Sequence, residues 1–176
     1  MTIALRALNP QDAEAEYRFF QTMPEENGFE VPYQGITFQK FVEMAIPERL
    51  LSAQGLGPAI GRVPDTYFFL WDDDQLIGLF KIRHRLNDWL RHGAGHIGYG
   101  ILPAFRGQGY GTRGLELAIQ ACTRLMPATE TEIYLSCART NLASLQVMRN
   151  NGGRVVDRDE KENYVRIPRP QSSGAY

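Results

Sequence analysis

The segment RGQGYGTRG, Arg106 to Gly114, admits two readings, and the choice between them decides the fold. Gly109, Gly111 and Gly114 spell G-x-G-x-x-G, the letters of a dinucleotide-binding turn. Read from Arg106, the same residues spell R-x-x-G-x-G, a turn that can present backbone amides to a pyrophosphate at a helix N-terminus. In a dinucleotide fold the strand runs almost directly into the first glycine, within a series of strand–helix–strand units. Here Pro103 to Gly107 intervene before Gly109, and antiparallel hairpin patterns flank the one such unit on both sides. Glu130 and Glu132 lie about 20 residues downstream, where a ribose-binding acid would fall, but the topology around them is wrong. No G-K-[ST] follows, so the turn is not a P-loop either.

Working outward, HIGYGIL reads as a strand stopped by Pro103, and TRGLELAIQACTRLM places Leu115, Ala118, Ile119, Cys122 and Leu125 on one helical face. EIYLSC is a further strand. NLASLQVMRN is a short helix that Asn141 can cap and that NGG ends. RVVD and NYVRI form a closing hairpin around the charged turn RDEKE. Upstream, TYFFLW and QLIGLFKIRHRL form another hairpin across DDD. TIALRAL is a first strand. The helix after it has Asn9 as N-cap, Pro10 at its first position, and Tyr17 and Phe20 on its buried face. PEENGFEVPYQG and QGLGPAIGRVP are loops. Between them TFQKFVEMA is a helix starting at Thr37, with Phe38, Phe41, Val42 and Ala45 at helical spacing, ending before Pro47. The expected organisation is one α/β (α+β) domain over residues 2–168, with 169–176 as a mobile tail.

A chain of 176 residues, 43% of them hydrophobic, can bury the core of one such domain. A net charge of −1 provides no field to collect nucleic acid or an anionic membrane. Cys122 and Cys137 fall in apolar stretches outside any C-x-x-C pair, which reads as buried thiols in a reducing compartment. No apolar run approaches the roughly 20 residues a membrane helix needs, and MTIALRALNPQD lacks the basic and apolar regions of a secretory signal. A cytoplasmic location is expected, with no nucleic-acid or membrane partner.

The order of these elements resembles the GNAT superfamily of N-acetyltransferases over Thr2 to Ile167. The likeness is strongest in GHIGYGILPAFRGQGYGTRGLELAI, which looks like the family's acetyl-CoA motif, and in SCARTNLASLQVMRNNGG after it. RHRLNDWLRHGAGHIGYGI further resembles a subgroup of bacterial predicted acetyltransferases. The resemblance implies a mixed, mostly antiparallel sheet with helices on both faces and a splay between strands 4 and 5 that admits acetyl-CoA. It also implies direct acetyl transfer to an amine, without an acyl-enzyme and without a metal.

Carried onto this chain, the resemblance implies a cofactor site. Backbone amides of Arg106, Gly107, Gln108, Gly109, Tyr110, Gly111 and Thr112 would hold the pyrophosphate, and Ile101 and Leu102 would pair with the pantetheine arm as an added strand does. Asn141 matches the family's pantetheine-binding asparagine, and Ser144 would reach the cofactor one turn later. Acetyl transfer needs a neutral amine, and a base with a pKa near the working pH serves best. Many members place a glutamate where this chain has His96, whose imidazole titrates close to neutrality; His84 and Tyr99 are the substitutes. Met148 stands where the family frequently has a tyrosine acid, and it carries no proton to give. Tyr164, Tyr110 or solvent would then serve the thiolate, while Cys137 reads as a buried apolar thiol.

On the acceptor side the resemblance places Glu25, Glu26, Glu30 and Tyr33, with Arg83, His84 and Arg85 opposite. Glutamates suit a cationic amine and arginines a carboxylate beside it, as in an amino-acid-like or peptide amine. A non-catalytic acyl-CoA-binding module is the alternative function. Relatives often dimerise, and Trp89 and Phe29 look like exposed aromatics, so a homodimer is expected.

Overall fold

The computed structural model describes residues 2–57 and 60–171. The loop QGLGPAIGRVP and the tail therefore lie in part outside the described residues. Strands β1 (Ile3–Ala7), β2 (Asp65–Asp72), β3 (Gln75–Arg83) and β4 (Ile97–Ile101) pair antiparallel in the order β1-β2-β3-β4. Strands β5 (Glu132–Ala138), β6 (Arg154–Arg158) and β7 (Glu162–Pro168) form a second antiparallel sheet in the order β5-β7-β6. Helix α5 (Tyr110–Leu125) connects the sheets and α6 (Leu142–Asn150) follows β5. Strand alternation divides the core. Phe80, Ile82 and Ile97 pack with Leu115, Ala118 and Cys122 of α5, while Phe69, Leu79 and Tyr67 pack with Phe19 and Phe20 of α1 (Ala13–Thr22) and with Phe41. No described helix is long and apolar enough to cross a membrane.

Three local departures have physical causes. The helix expected to stop before Pro47 runs through it, as α2 (Phe38–Lys40), a π turn (Phe41–Ala45) and α3 (Ile46–Ala53). A proline deep in an α-helix removes one hydrogen bond and crowds the preceding turn. Here the Ile46 N–H reaches back to Phe41 O, and that wider turn sets Pro47 in the first turn of α3, where no N–H is required.

The Asn9 cap forms as expected, Oδ1 accepting from the Asp12 N–H at 3.0 Å, but it opens a short 3₁₀ turn before α1. Phe20 is fully buried; Tyr17 is half-buried and donates to Ile36 O, and Glu16 takes the buried place beside them. Arg169, assigned to a mobile tail, is anchored. Its N–H donates to Thr131 O, and its guanidinium to the carbonyls of Thr123, Pro127 and Glu130.

The two sheets meet at a bridge between Gly95 and Leu135. Gly95 adopts a φ of 69°, and a Cβ there would come within 2.1 Å of Tyr134 O, so glycine is required for this approach. The next residue completes the junction with its side chain. His96 N–H donates to Tyr134 O at 2.7 Å, and His96 Nδ1 accepts from the Tyr134 N–H at 2.9 Å. An accepting Nδ1 places the ring proton on Nε2, which is buried without a partner. Burial pushes this imidazole down to about 4 from its ordinary 6.5.

The folded chain therefore resists a proton that the unfolded chain takes up as pH falls from 6.5 toward 4, and stability is lost across that window. His96→Leu removes the acceptor and leaves a buried N–H unpaired, at a cost of about 1–3 kcal/mol. Thermal melts should show a lower Tm near neutrality and a flatter Tm-against-pH curve between pH 6.5 and 4. A mutant curve parallel to wild type would remove His96 as the titrating group.

Candidate active site

Beyond the bridge β4 and β5 part, and a cleft of about 1000 Å³ opens between them. Its first half is built from the N-terminus of α5. Gly109 caps that helix at a φ of 85°, in the left-handed region, and Gly107 is left-handed too. A Cβ built at either glycine would meet nothing within 4 Å, so the turn has open space over it. Amide N–H groups from Gly107 through Thr112 make no hydrogen bond among the described residues. Unpaired amides at the positive end of a helix dipole, with room above them, fit a pyrophosphate. Arg106 borders the cleft; its Nε donates to Ile101 O at 2.9 Å and its guanidinium pairs with Glu26.

The free edge of β4 faces the same cleft. Even-numbered residues serve the ladder to β3, as when Leu102 N–H donates to Ile77 O and Arg83 N–H to His96 O. The N–H and C=O groups of Tyr99 and Ile101 therefore point the other way, toward the splay. Leu102, expected to pair with the pantetheine arm, has its N–H committed to β3 and packs against the α1 core instead. Across the gap, Asn141 Oδ1 caps α6 by accepting from the Ser144 N–H, and both residues line the cleft. The side chains of Gln108 and Tyr110 leave it, Gln108 donating to Ala104 O and Tyr110 to Asp72 Oδ2.

Of the groups expected to move protons, the structure brings few to the cleft. His96 is fully buried in the sheet junction and does not line it. His84 is held by Thr66 Oγ1 at 2.8 Å and also lies off the cleft lining. Tyr99 does line it. Its ring stacks on Phe80 at 5.2 Å, and its hydroxyl lies 2.8 Å from Ser144 Oγ and donates to Ser144 O. Burial raises that phenol above its ordinary range, so it stays protonated and is a donor, not a base. Met148 is buried away from the cleft. Tyr164 lines the cleft, with its hydroxyl tied to Asp159 Oδ2 at 2.6 Å. Cys137 also lines it, as a buried thiol whose pKa burial raises.

The other half of the cleft, expected to take the acceptor, is roofed by the turn Glu26 to Phe29, tight because Asn27 and Gly28 are both left-handed. Phe29 is half-buried rather than an exposed aromatic. It lies over β4 because Gly100 has no Cβ, which would meet Met23 Cε at 2.5 Å and the Phe29 ring at 3.1 Å. Glu26, Glu30 and Arg83 line this half. Tyr33 does not; it packs edge-on against Phe20 and Phe41 in the core. Arg85 is exposed outside it. The sequence reading missed Lys81, which lines the cleft from β3 with its ammonium 4.6 Å above the Phe29 ring. Its signal was a lone cation inside the apolar run QLIGLFKIR. Glu130 and Glu132, the acids a dinucleotide site would use, are ion-paired with Arg91 and Arg154.

No curated protein matches the chain. Solved structures do. A probable acetyltransferase is 21% identical with a TM-score of 0.67, covering 95% of this chain and 93% of that one. The aminoglycoside acetyltransferase AAC(6')-Ib in complex with coenzyme A is 16% identical with a TM-score of 0.63, covering 96% and 95%. A chimera of the Vibrio cholerae spermidine N-acetyltransferase SpeG is 16% identical with a TM-score of 0.59, covering 96% of each chain. The splayed sheets are thus the GNAT fold. The family model for the acetyltransferase (GNAT) domain matches residues 2–154, and the chain belongs to that family.

Proposed function

We propose that this protein is an acetyl-CoA-dependent N-acetyltransferase that moves an acetyl group directly to a primary amine of a small molecule or peptide. The observation that carries the reading is the run of unpaired amides from Gly107 through Thr112 at the mouth of an open cleft. Neighbours of this fold act on cationic amines or bind coenzyme A, in keeping with such a site. When bound, acetyl-CoA supplies an activated thioester carbonyl. The amides, with Arg106, would hold its diphosphate; the Tyr99 and Ile101 backbone edge and Asn141 would hold its arm.

The acceptor nitrogen forms the new C–N bond as the C–S bond breaks. The amine proton leaves to water in the open cleft, Glu30 at the rim holding the cationic form of the acceptor before transfer. Tyr99, protonated and shared with Ser144, would donate to the thiolate that acetyl-CoA releases and would recover its proton from the water of the cleft. A second reading, a module that binds acyl-CoA without turnover, draws on the burial of His96 and Met148, which leaves neither group at the cleft. Steady-state thiol release with a panel of amines separates the two.

Acetyl-CoA at about 100 times its Kd should stabilise the fold by about 2.7 kcal/mol, seen as a rise in Tm. Gly109→Val places a branched side chain at a φ of 85° and over the amide cradle, and should abolish that rise. An undiminished rise would sink the cradle assignment.

Tyr99→Phe keeps the stack on Phe80 and deletes only the hydroxyl. It should lower kcat by about 10²-fold or more while leaving the acetyl-CoA Kd nearly unchanged. Wild-type turnover in that variant would pass the proton-donor role to solvent.

A further inference from the structure

We propose that Lys81 and Arg83 form a carboxylate-binding pair in the acceptor half of the cleft, and that the amine acetylated there is one that also carries a carboxylate. The inference rests on the acetyltransferase reading and deepens it.

The two cations alternate on β3, so both project from one face of the sheet, opposite Gly98 and His96 of β4. Both line the cleft. Gly98 leaves the ground beside Lys81 clear, since a Cβ there would meet nothing within 4 Å. Among the described residues neither cation is in a salt bridge; the Glu30 and Asp65 carboxylates act on both from beyond contact distance. Lys81 Nζ donates to Glu30 O and Arg83 Nη1 to Gly95 O at 3.1 Å, both backbone carbonyls. Among the described residues no carboxylate lies within 4.0 Å of either. Asp65, opposite Arg83 on β2, is already committed to Arg49 at 3.1 Å and Ser52 at 2.6 Å.

Two like charges, half-buried and side by side, are costly without an anion between them. Burial first, and Arg83 second, push the Lys81 ammonium down to about 8, so it remains mostly charged at neutral pH. A carboxylate would relieve both groups. It would accept from Lys81 and from the guanidinium edge that Arg83 leaves unused, the geometry in which arginine binds carboxylates best. The cofactor's own phosphates do not reach this place. Their cradle lies beyond Ile101, about 17 Å along β4 from the Arg83–His96 row at roughly 3.3 Å per residue. Glu30 at the rim provides the opposite charge for the ammonium of the same ligand. A polyamine would instead bring cation against cation.

Rates of acetyl transfer to free amino acids should be compared with those to their carboxamides. Amidated tetrapeptides beginning with Asp or Asn form a second arm, separating an α-carboxylate from a side-chain one. In at least one arm the carboxylate form should win in kcat/KM by about 10–100-fold, the worth of a charged hydrogen bond. Lys81→Met and Arg83→Met should bring that ratio toward one. Equal use of acid and amide, preference for spermidine, or a ratio that survives both substitutions overturns the proposal.

Binding separates this proposal from the reading beneath it. With coenzyme A present, N-acetyl amino acids should raise Tm and their amides should not, and Arg83→Met should erase the difference. If that binding holds while no amine is acetylated, the anion site stands and the acetyltransferase reading falls. If neither binding nor transfer depends on a carboxylate, the anion site falls.

Discussion

Everything functional in this fold depends on how β4 and β5 come together at one end and separate at the other. Adjacent strands normally satisfy each other's N–H and C=O groups along their whole length, and a buried edge that parts without compensation is penalised at every residue. Here the strands touch at the Gly95–Leu135 bridge, and the His96 imidazole takes the Tyr134 N–H where a ladder carbonyl would otherwise serve. A neutral, fully buried ring thus closes the sheet junction. Past it, the edge groups of Tyr99 and the Ile101 N–H are left facing the cleft, available to water or to an added strand-like ligand, while Ile101 O already accepts from Arg106.

Charge divides the cleft into two unlike halves. The α5 end offers unpaired amides, a helix dipole and Arg106, and the β3 end offers Arg83 and, over the Phe29 and Tyr67 rings, Lys81. Between them the two rim glutamates differ in commitment. Glu26 is paired with Arg106, tying the turn at residues 26–29 to the glycine loop, whereas among the described residues Glu30 takes part in no such ion pair. One guanidinium thus joins the loop to the turn at residues 26–29, and its Nε also holds Ile101 O.

Much of the fold was legible because its signals are local. The runs of strand formers in TYFFLW and QLIGLFKIR, the glycines at Gly107 and Gly109, and the caps at Asn9 and Asn141 each act over a few residues, and each appears in the structure. The glycines of that turn, with Arg106 and Thr112, line the cleft for the same local reason, whereas Asn141 and Ser144 were expected there from the resemblance to the GNAT superfamily. The π turn was not, since whether Pro47 ends a helix or is absorbed depends on the burial of Phe41 and Ala45 against a distant sheet. Nor was the place of His96: a histidine on a strand next to the motif reads as a base until the partner strand is seen to claim its ring.

The sequence by itself determined the order of elements, the pyrophosphate-type turn and its helix, because these follow from periodicity and backbone preference within short windows. Only the tertiary structure decided which side chains share the cleft. Leu102 and Tyr33 were drawn into the core, His96 into the sheet junction, and Lys81 out of an apolar strand to the cleft wall. The physical reason is that a side chain's direction on a strand is set by register, and its burial by what packs across from it. Both are properties of contacts between segments far apart in the chain.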